Sequence, residues 1–150
     1  MSGSFDKTAK LWDAETSALE YTFQGHTAEV VCSVFGPQSS TIATSSMDQT
    51  ARLWDIRNGS LIHVLKGHTA EVISTCFSSD GNYILTGSFD STLKVWDYRT
   101  MKEVYHLIGH RDEISYGMFN YSGDRIVSGS IDGTTKIWDM TNGNCINTIG

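Results

Sequence analysis

The chain of 150 residues is 39% hydrophobic and 11% aromatic, with 11 basic against 17 acidic side chains. That composition fits one soluble globular unit with a real core and argues against a disordered, collagenous or disulfide-framed chain. A net charge of −6 disfavours nucleic acid as the main partner, because phosphate binding draws on a basic stripe.

The first residues, Met1 to Lys7, hold no apolar signal core, and the longest apolar runs, such as Val30-Val31-Cys32, fall far short of a membrane span. An intracellular protein without membrane contact is expected. The chain opens inside or just before a strand, turns at Asp6 and reaches Trp12-Asp13. After Gly25-His26 comes an apolar run from Val30 to Phe35, then a turn and a second run from Thr41 to Ser46. A tight turn carrying Asp48 leads to a third run, Ala51 to Trp54, and Asn58-Gly59 leads to a fourth, Leu61 to Leu65. The same order then recurs. Gly67-His68 precedes Val72 to Phe77, the turn Ser79-Asp80-Gly81-Asn82, Tyr83 to Ser88, Asp90 and Leu93 to Trp96. Gly109-His110 precedes Ile114 to Phe119, Arg125 to Ser130, Asp132, Thr135 to Trp138 and Asn142-Gly143. No segment shows helical periodicity, so the expected fold class is all-β, four antiparallel strands per repeat.

The marks keep one interval. Trp12, Trp54, Trp96 and Trp138 are each followed by Asp and lie 42 residues apart, and Asp6, Asp48, Asp90 and Asp132 each lie six residues before their Trp. A period of roughly 40–45 residues with Gly-His and Trp-Asp marks is the sequence signature of propeller blades. The marks resemble the WD-repeat family of β-propellers over essentially the whole chain. The resemblance implies a hydrogen-bonded tetrad in each complete repeat: His26, Thr44, Asp48, Trp54; then His68, Thr86, Asp90, Trp96; then His110, Ser128, Asp132, Trp138. Ser2, Asp6 and Trp12 form a partial set without its His. In the expected chain of bonds the Asp accepts from the His, whose other nitrogen engages the hydroxyl, and the hydroxyl accepts from the indole.

A hydroxyl, a His and an Asp also suggest a nucleophilic triad, but the trio occurs three times in register, whereas an active site needs one constellation in one pocket. No phosphate-binding glycine loop or metal-ligand cluster is legible either, so neither catalysis nor a cofactor is expected. Cys32, Cys76 and Cys145 are too few and too widely spaced for a disulfide framework; Cys32 and Cys76 are expected to be small buried hydrophobes. His63 and His106, in fourth strands, are expected at the surface or an edge.

Antiparallel order puts the Gly-His loop and the Asp turn at the same end of a blade. Residues flanking them therefore share a face: Glu29, Glu71 and Glu113 three after each His, Phe5, Met47, Phe89 and Ile131 just before each Asp, and Val31, Ile73 and Ser115 two after each Glu. One reading packs the apolar members between blades and leaves the glutamates as solvated charges. The other makes them an arc suited to a basic, partly hydrophobic partner protein, the face that WD-repeat proteins commonly use.

Segments such as Gly3 to Asp13, His26 to Cys32, Met47 to Ile56, Leu107 to Ser115 and Trp138 to Cys145 are similar to WD-repeat factors of axonemal dynein assembly. That resemblance implies a cytoplasmic and ciliary adaptor, with intraflagellar transport subunits and outer-arm dynein as partners. Ser45 stands where Gly3, Gly87 and Gly129 stand elsewhere, and Met101 stands where a turn Gly is expected. The competing reading is a scaffold of another cytoplasmic complex, a substrate receptor for ubiquitin ligation or an RNA-processing component.

The period divides the chain into an incomplete blade, 1–24, lacking its inner strand, and complete blades 25–66, 67–108 and 109–150. Closed rings of this kind need about seven or eight blades. The expectation is part of a larger propeller, or a truncated gene model, that alone forms an open arc prone to self-association.

Overall fold

A computed structural model describes residues 1–150, apart from the side chain of Gln38. The chain folds as four antiparallel sheets, each a meander in which consecutive strands are neighbours. The first has three strands, β1 (Ser2–Gly3), β2 (Thr8–Trp12) and β3 (Leu19–Gln24). The second holds β4 (Val30–Phe35), β5 (Thr41–Ser46), β6 (Thr50–Asp55) and β7 (Leu61–Lys66). The third holds β8 (Val72–Phe77), β9 (Tyr83–Ser88), β10 (Thr92–Asp97) and β11 (Glu103–Ile108). The fourth holds β12 (Ile114–Phe119), β13 (Arg125–Ser130), β14 (Thr135–Asp139) and β15 (Cys145–Ile149). A single turn of 3-10 helix, Pro37–Ser39, tightens the turn after β4, where Pro37 supplies a preset φ and needs no N–H partner. No helix is long and apolar enough to cross a membrane.

The strands form where β-branched and aromatic residues alternate with polar ones, and the hairpins close on their aspartates. In the β5–β6 hairpin the Thr50 N–H and hydroxyl both donate to Asp48 Oδ1, at 3.1 and 2.6 Å, a local bond that sets the turn before strand pairing begins. The residue after each turn Asp is left-handed in all four sheets: Lys7, Gln49, Ser91 and Gly133 have φ of 70°, 69°, 68° and 80°. The turn between third and fourth strands is left-handed at Ser17, Gly59, Met101 and Gly143. Met101 thus adopts the glycine conformation, φ 57°, because the turn geometry and its packing against the seam below outweigh the Cβ penalty.

Each sheet buries its faces against its neighbours. Three apolar clusters fill the three seams. Ala9, Leu11 and Phe23 meet Val30, Ile42 and Trp54; Ala43, Ala51, Leu53 and Leu65 meet Val72, Ile84 and Trp96. Leu85, Leu93, Val95 and Leu107 meet Ile114, Phe119, Ile126 and Trp138. The Trp of each four-stranded blade therefore faces the preceding sheet. Trp54, Trp96 and Trp138 are 2%, 5% and 1% exposed, whereas Trp12, with no sheet packed over it, is 42% exposed. Truncating a covered ring to alanine is expected to cost roughly 3–5 kcal/mol. The structure is an open arc of propeller blades: three four-stranded and one three-stranded.

The structure corrects the expectation for two cysteines. Cys32 and Cys76 are half-buried rather than buried, because each innermost strand turns them toward the next blade. Their sulfurs lie 3.8 and 3.6 Å from the carbonyls of Thr75 and Gly117. Burial pushes the Cys76 thiol up to about 11. Cys145, on the outermost strand, is exposed, as are His63 and His106.

Candidate functional site

At one end of each four-stranded blade, the Gly-His loop entering the sheet reaches across the innermost strand to the Asp turn between the second and third strands. In the second blade His26 Nδ1 lies 2.7 Å from Asp48 Oδ2 and His26 Nε2 lies 2.8 Å from Thr44 Oγ1, while Trp54 Nε1 donates to Thr44 Oγ1 at 2.9 Å. In the third the same bonds join His68 to Asp90 at 2.8 Å, His68 to Thr86 at 2.9 Å and Trp96 to Thr86 at 2.9 Å. In the fourth they join His110 to Asp132 at 2.9 Å, His110 to Ser128 at 2.8 Å and Trp138 to Ser128 at 2.8 Å.

The protons follow from chemistry. A carboxylate only accepts, so Nδ1 carries the hydrogen; Nε2 is then the bare nitrogen, the hydroxyl donates to it, and the hydroxyl oxygen accepts the indole N–H. Burial pulls His26 and His68 below the ordinary imidazole range, against the opposing pull of Asp48 and Asp90, so the neutral form is held. Burial works against the charge of Asp48 and Asp90, but bonds from Thr50, His26 and the Thr27 N–H, and from Thr92, the Thr69 N–H and His68, outweigh it and hold both carboxyls low. Asp132 is held well below the carboxylate range, first by the Arg111 N–H and then by the Thr134 hydroxyl.

Thr44, Thr86 and Ser128 are 0%, 1% and 1% exposed, so their hydroxyls are closed off from solvent. Their lone pair and proton are already committed. The arrangement is a staple between loop and hairpin, and a nucleophile would need the opposite: access and an uncommitted proton.

In the first blade the structure brings Ser2 and Trp12 together, the indole donating to Ser2 Oγ at 3.0 Å, but Asp6 does not join them. Asp6 instead accepts from Thr8 and Lys10 and falls to about 2, chiefly through the Thr8 hydroxyl.

The staple has further members that no motif named. Ser46, Ser88 and Ser130 donate to the carbonyls of Ala28, Ala70 and Asp112 and accept from the N–H groups of Asp48, Asp90 and Asp132. Ser4, Ser46, Ser88 and Ser130, like Thr8, Thr50, Thr92 and Thr134, keep the 42-residue interval, a signal that the sequence carries.

The candidate partner residues gather around the staples. Met47, Phe89 and Ile131 donate their N–H groups to the carbonyls of Glu29, Glu71 and Glu113, each at 3.0 Å, so every glutamate is backbone-paired with its apolar companion. Val31, Ile73 and Ser115 are the extra residues of β-bulges at the start of the innermost strands, a device that re-aims a side chain. Phe5, Ile131 and Val31 are 79%, 60% and 38% exposed and Ser115 is exposed; Met47, Phe89, Ile73 and all three glutamates are half-buried. None of the four residues before the turn Asp enters a seam cluster. The three glutamates make no ion pair among the described residues. No group of His, Cys, Asp or Glu suited to hold a metal ion occurs among the described residues.

Meandering four-stranded blades, stapled at one end by His, hydroxyl, Asp and Trp, define a propeller of the kind that serves as a protein-interaction scaffold. The family model described as WD domain, G-beta repeat matches residues 17–55, 59–97 and 101–139, more than half of the chain, and the chain belongs to that family. Each matched repeat starts in the turn just before the outermost strand of one sheet and ends on the third strand of the next, so consecutive sheets are stitched by single repeats. No curated protein matches the chain.

Proposed function

We propose that this chain presents the staple end of its blades to a basic, partly hydrophobic segment of a partner protein, through Glu29, Glu71 and Glu113 with Phe5, Met47, Phe89, Ile131, Val31 and Ile73. The observation that carries the reading is the three-fold backbone pairing of a glutamate free of ion pairs with an apolar residue outside the seams. A charged rim beside apolar contacts steers a complementary partner and then holds it. The triple change Glu29→Lys, Glu71→Lys and Glu113→Lys is expected to abolish partner capture while leaving the β-sheet circular dichroism intact. Unchanged capture by the folded triple variant would remove the arc from consideration.

The finer reading is a non-catalytic adaptor that works in the cytoplasm and the cilium, linking outer-arm dynein to intraflagellar transport. Its support is the similarity of segments such as Met47 to Ile56 and Leu107 to Ser115 to axonemal dynein assembly factors. Immunoprecipitation from ciliated cells is expected to recover transport subunits. Their absence, or a source that builds no cilia at any stage, would overturn this reading and leave the scaffold reading standing.

A further inference from the structure

We propose that the cleft beside Gly109 in the fourth blade is a carboxylate site that receives an acidic side chain of a partner polypeptide. The proposal rests on the interaction-scaffold reading and gives one contact its chemistry. The same place exists in all three complete blades, where the glycine of Gly-His passes over the Trp ring beside the basic residue two positions before that Trp. In the second blade the basic residue fills it: the Arg52 guanidinium crowds Gly25, with Nη2 3.8 Å from Asp48 Oδ2. In the third blade a carboxylate fills it. Lys94 Nζ lies 2.7 Å from Glu103 Oε2, and that oxygen and the Trp96 ring border Gly67. The lysine so closed off is only 4% exposed.

The fourth blade repeats the frame without the carboxylate. Gly109 again borders the Trp138 ring and the Lys136 side chain, but the strand position paired with Trp138 is Cys145, where Glu103 pairs with Trp96. What remains is a cleft of about 280 Å³ lined by Gly109, Arg111, Asp132, Thr134 and Lys136. Lys136 Nζ has only the Thr148 hydroxyl at 2.9 Å, and neither Lys136 nor Arg111 is in an ion pair among the described residues. Arg111 adds a second cation where Thr27 and Thr69 stand in the other blades. Asp132 does not forbid an incoming carboxylate, because His110, the Arg111 N–H and both Thr134 donors occupy it. Asp90 has the corresponding four donors and coexists with Glu103 in the third blade. The molecule thus contains its own example of the complex: a carboxylate on a lysine, beside a tryptophan ring, in a blade whose turn aspartate is likewise saturated.

The probe is a capped pentaglutamate peptide, added at low salt to the isotopically labelled full chain while backbone amide shifts are followed. Saturable shifts are expected at Gly109, Arg111, Thr134 and Lys136. Cys145→Glu, on an exposed strand, is expected to abolish them by closing the cleft from within, and Lys136→Met to weaken binding about fivefold. Glu103→Cys is expected to open a second site, with new shifts at Gly67 and Lys94. Shifts spread over the exposed lysines and arginines and absent from Gly109, or binding unaltered by Cys145→Glu, would overturn the proposal. The triple glutamate variant leaves the cleft intact, so loss of the arc and loss of the cleft are read separately.

Discussion

Replacing Thr86 by Val removes a hydroxyl at the centre of a buried network while nearly keeping its shape. The Trp96 indole N–H and the bare Nε2 of His68 both lose their partner, and both residues are almost fully covered, at 5% and 8% exposed. Leaving a buried polar group unpaired costs about 1–3 kcal/mol, so the pair should cost about 2–6 kcal/mol. That is a large part of the roughly 5–15 kcal/mol that holds a domain together. The sharper observable is a double-mutant cycle with Trp96→Phe. In the double variant the indole donor no longer exists, so only Nε2 is stranded, and the two changes together should cost about 1–3 kcal/mol less than their sum. Urea unfolding followed by far-ultraviolet circular dichroism measures all four proteins, with an unchanged m-value as the check that unfolding remains comparable. Ser2→Ala is the control: Trp12 is 42% exposed and water replaces its partner, so the change should stay within about 0.5 kcal/mol. Additive single costs, within about 0.5 kcal/mol, would refute the account of the tetrad as a coupled network.

Stability should also fall in two acid stages. The folded His26 and His68 lie below the unfolded 6.5, so as pH drops below about 6.5 the unfolded chain binds protons that the folded one refuses. The tetrad aspartates lie below 3.8, so their contribution is fully present above that value and is lost as pH falls through their lower folded values. Urea unfolding across pH 8 to 3 checks this, and stability that is flat between pH 7 and 5 would contradict the first stage. Thiol labelling of the native protein at mildly alkaline pH should modify exposed Cys145 while Cys76, raised to about 11, stays protected; mass spectrometry of digested protein reads both sites. Gly81→Ala should destabilise by about 1–3 kcal/mol, because φ is +73° and the new Cβ would stand 2.5 Å from the Pro37 ring of the preceding blade. A thermal melt within experimental error of the parent would count against that contact.

Residues that repeat in type are legible in the amino-acid sequence itself. Trp, Asp, Gly-His and the alternating runs set strand order, and the tetrads follow because each member is a hydrogen-bonding group at a fixed offset. Features that repeat in conformation but not in residue type are not legible there. Lys7, Gln49 and Ser91 share one left-handed turn position with Gly133, yet only Gly133 carries the residue that announces it. Ser45 has the same character: it stands where other blades have Gly, and its fully buried hydroxyl has no partner in the structure. The cleft is hidden for a third reason. Its meaning lies in the contrast between Glu103 and Cys145, which matters only once the register puts both opposite equivalent tryptophans.

The acidic excess of the chain divides into two populations with different work. Asp48, Asp90 and Asp132 sit at the same end as the proposed arc, yet their oxygens are taken up by bonds from His, Thr and backbone N–H groups. A charge so surrounded fixes geometry and has little left to offer a partner. Glu29, Glu71 and Glu113 have no such claim on them, although each is only three residues beyond a staple His. The staple therefore does more than hold loop to hairpin. By consuming the aspartates and pinning each glutamate carbonyl to the residue before the turn, it leaves one free carboxylate at a repeated place in each of the three complete blades. Weakening a staple should consequently disturb partner capture without any change in the residues that make the contact.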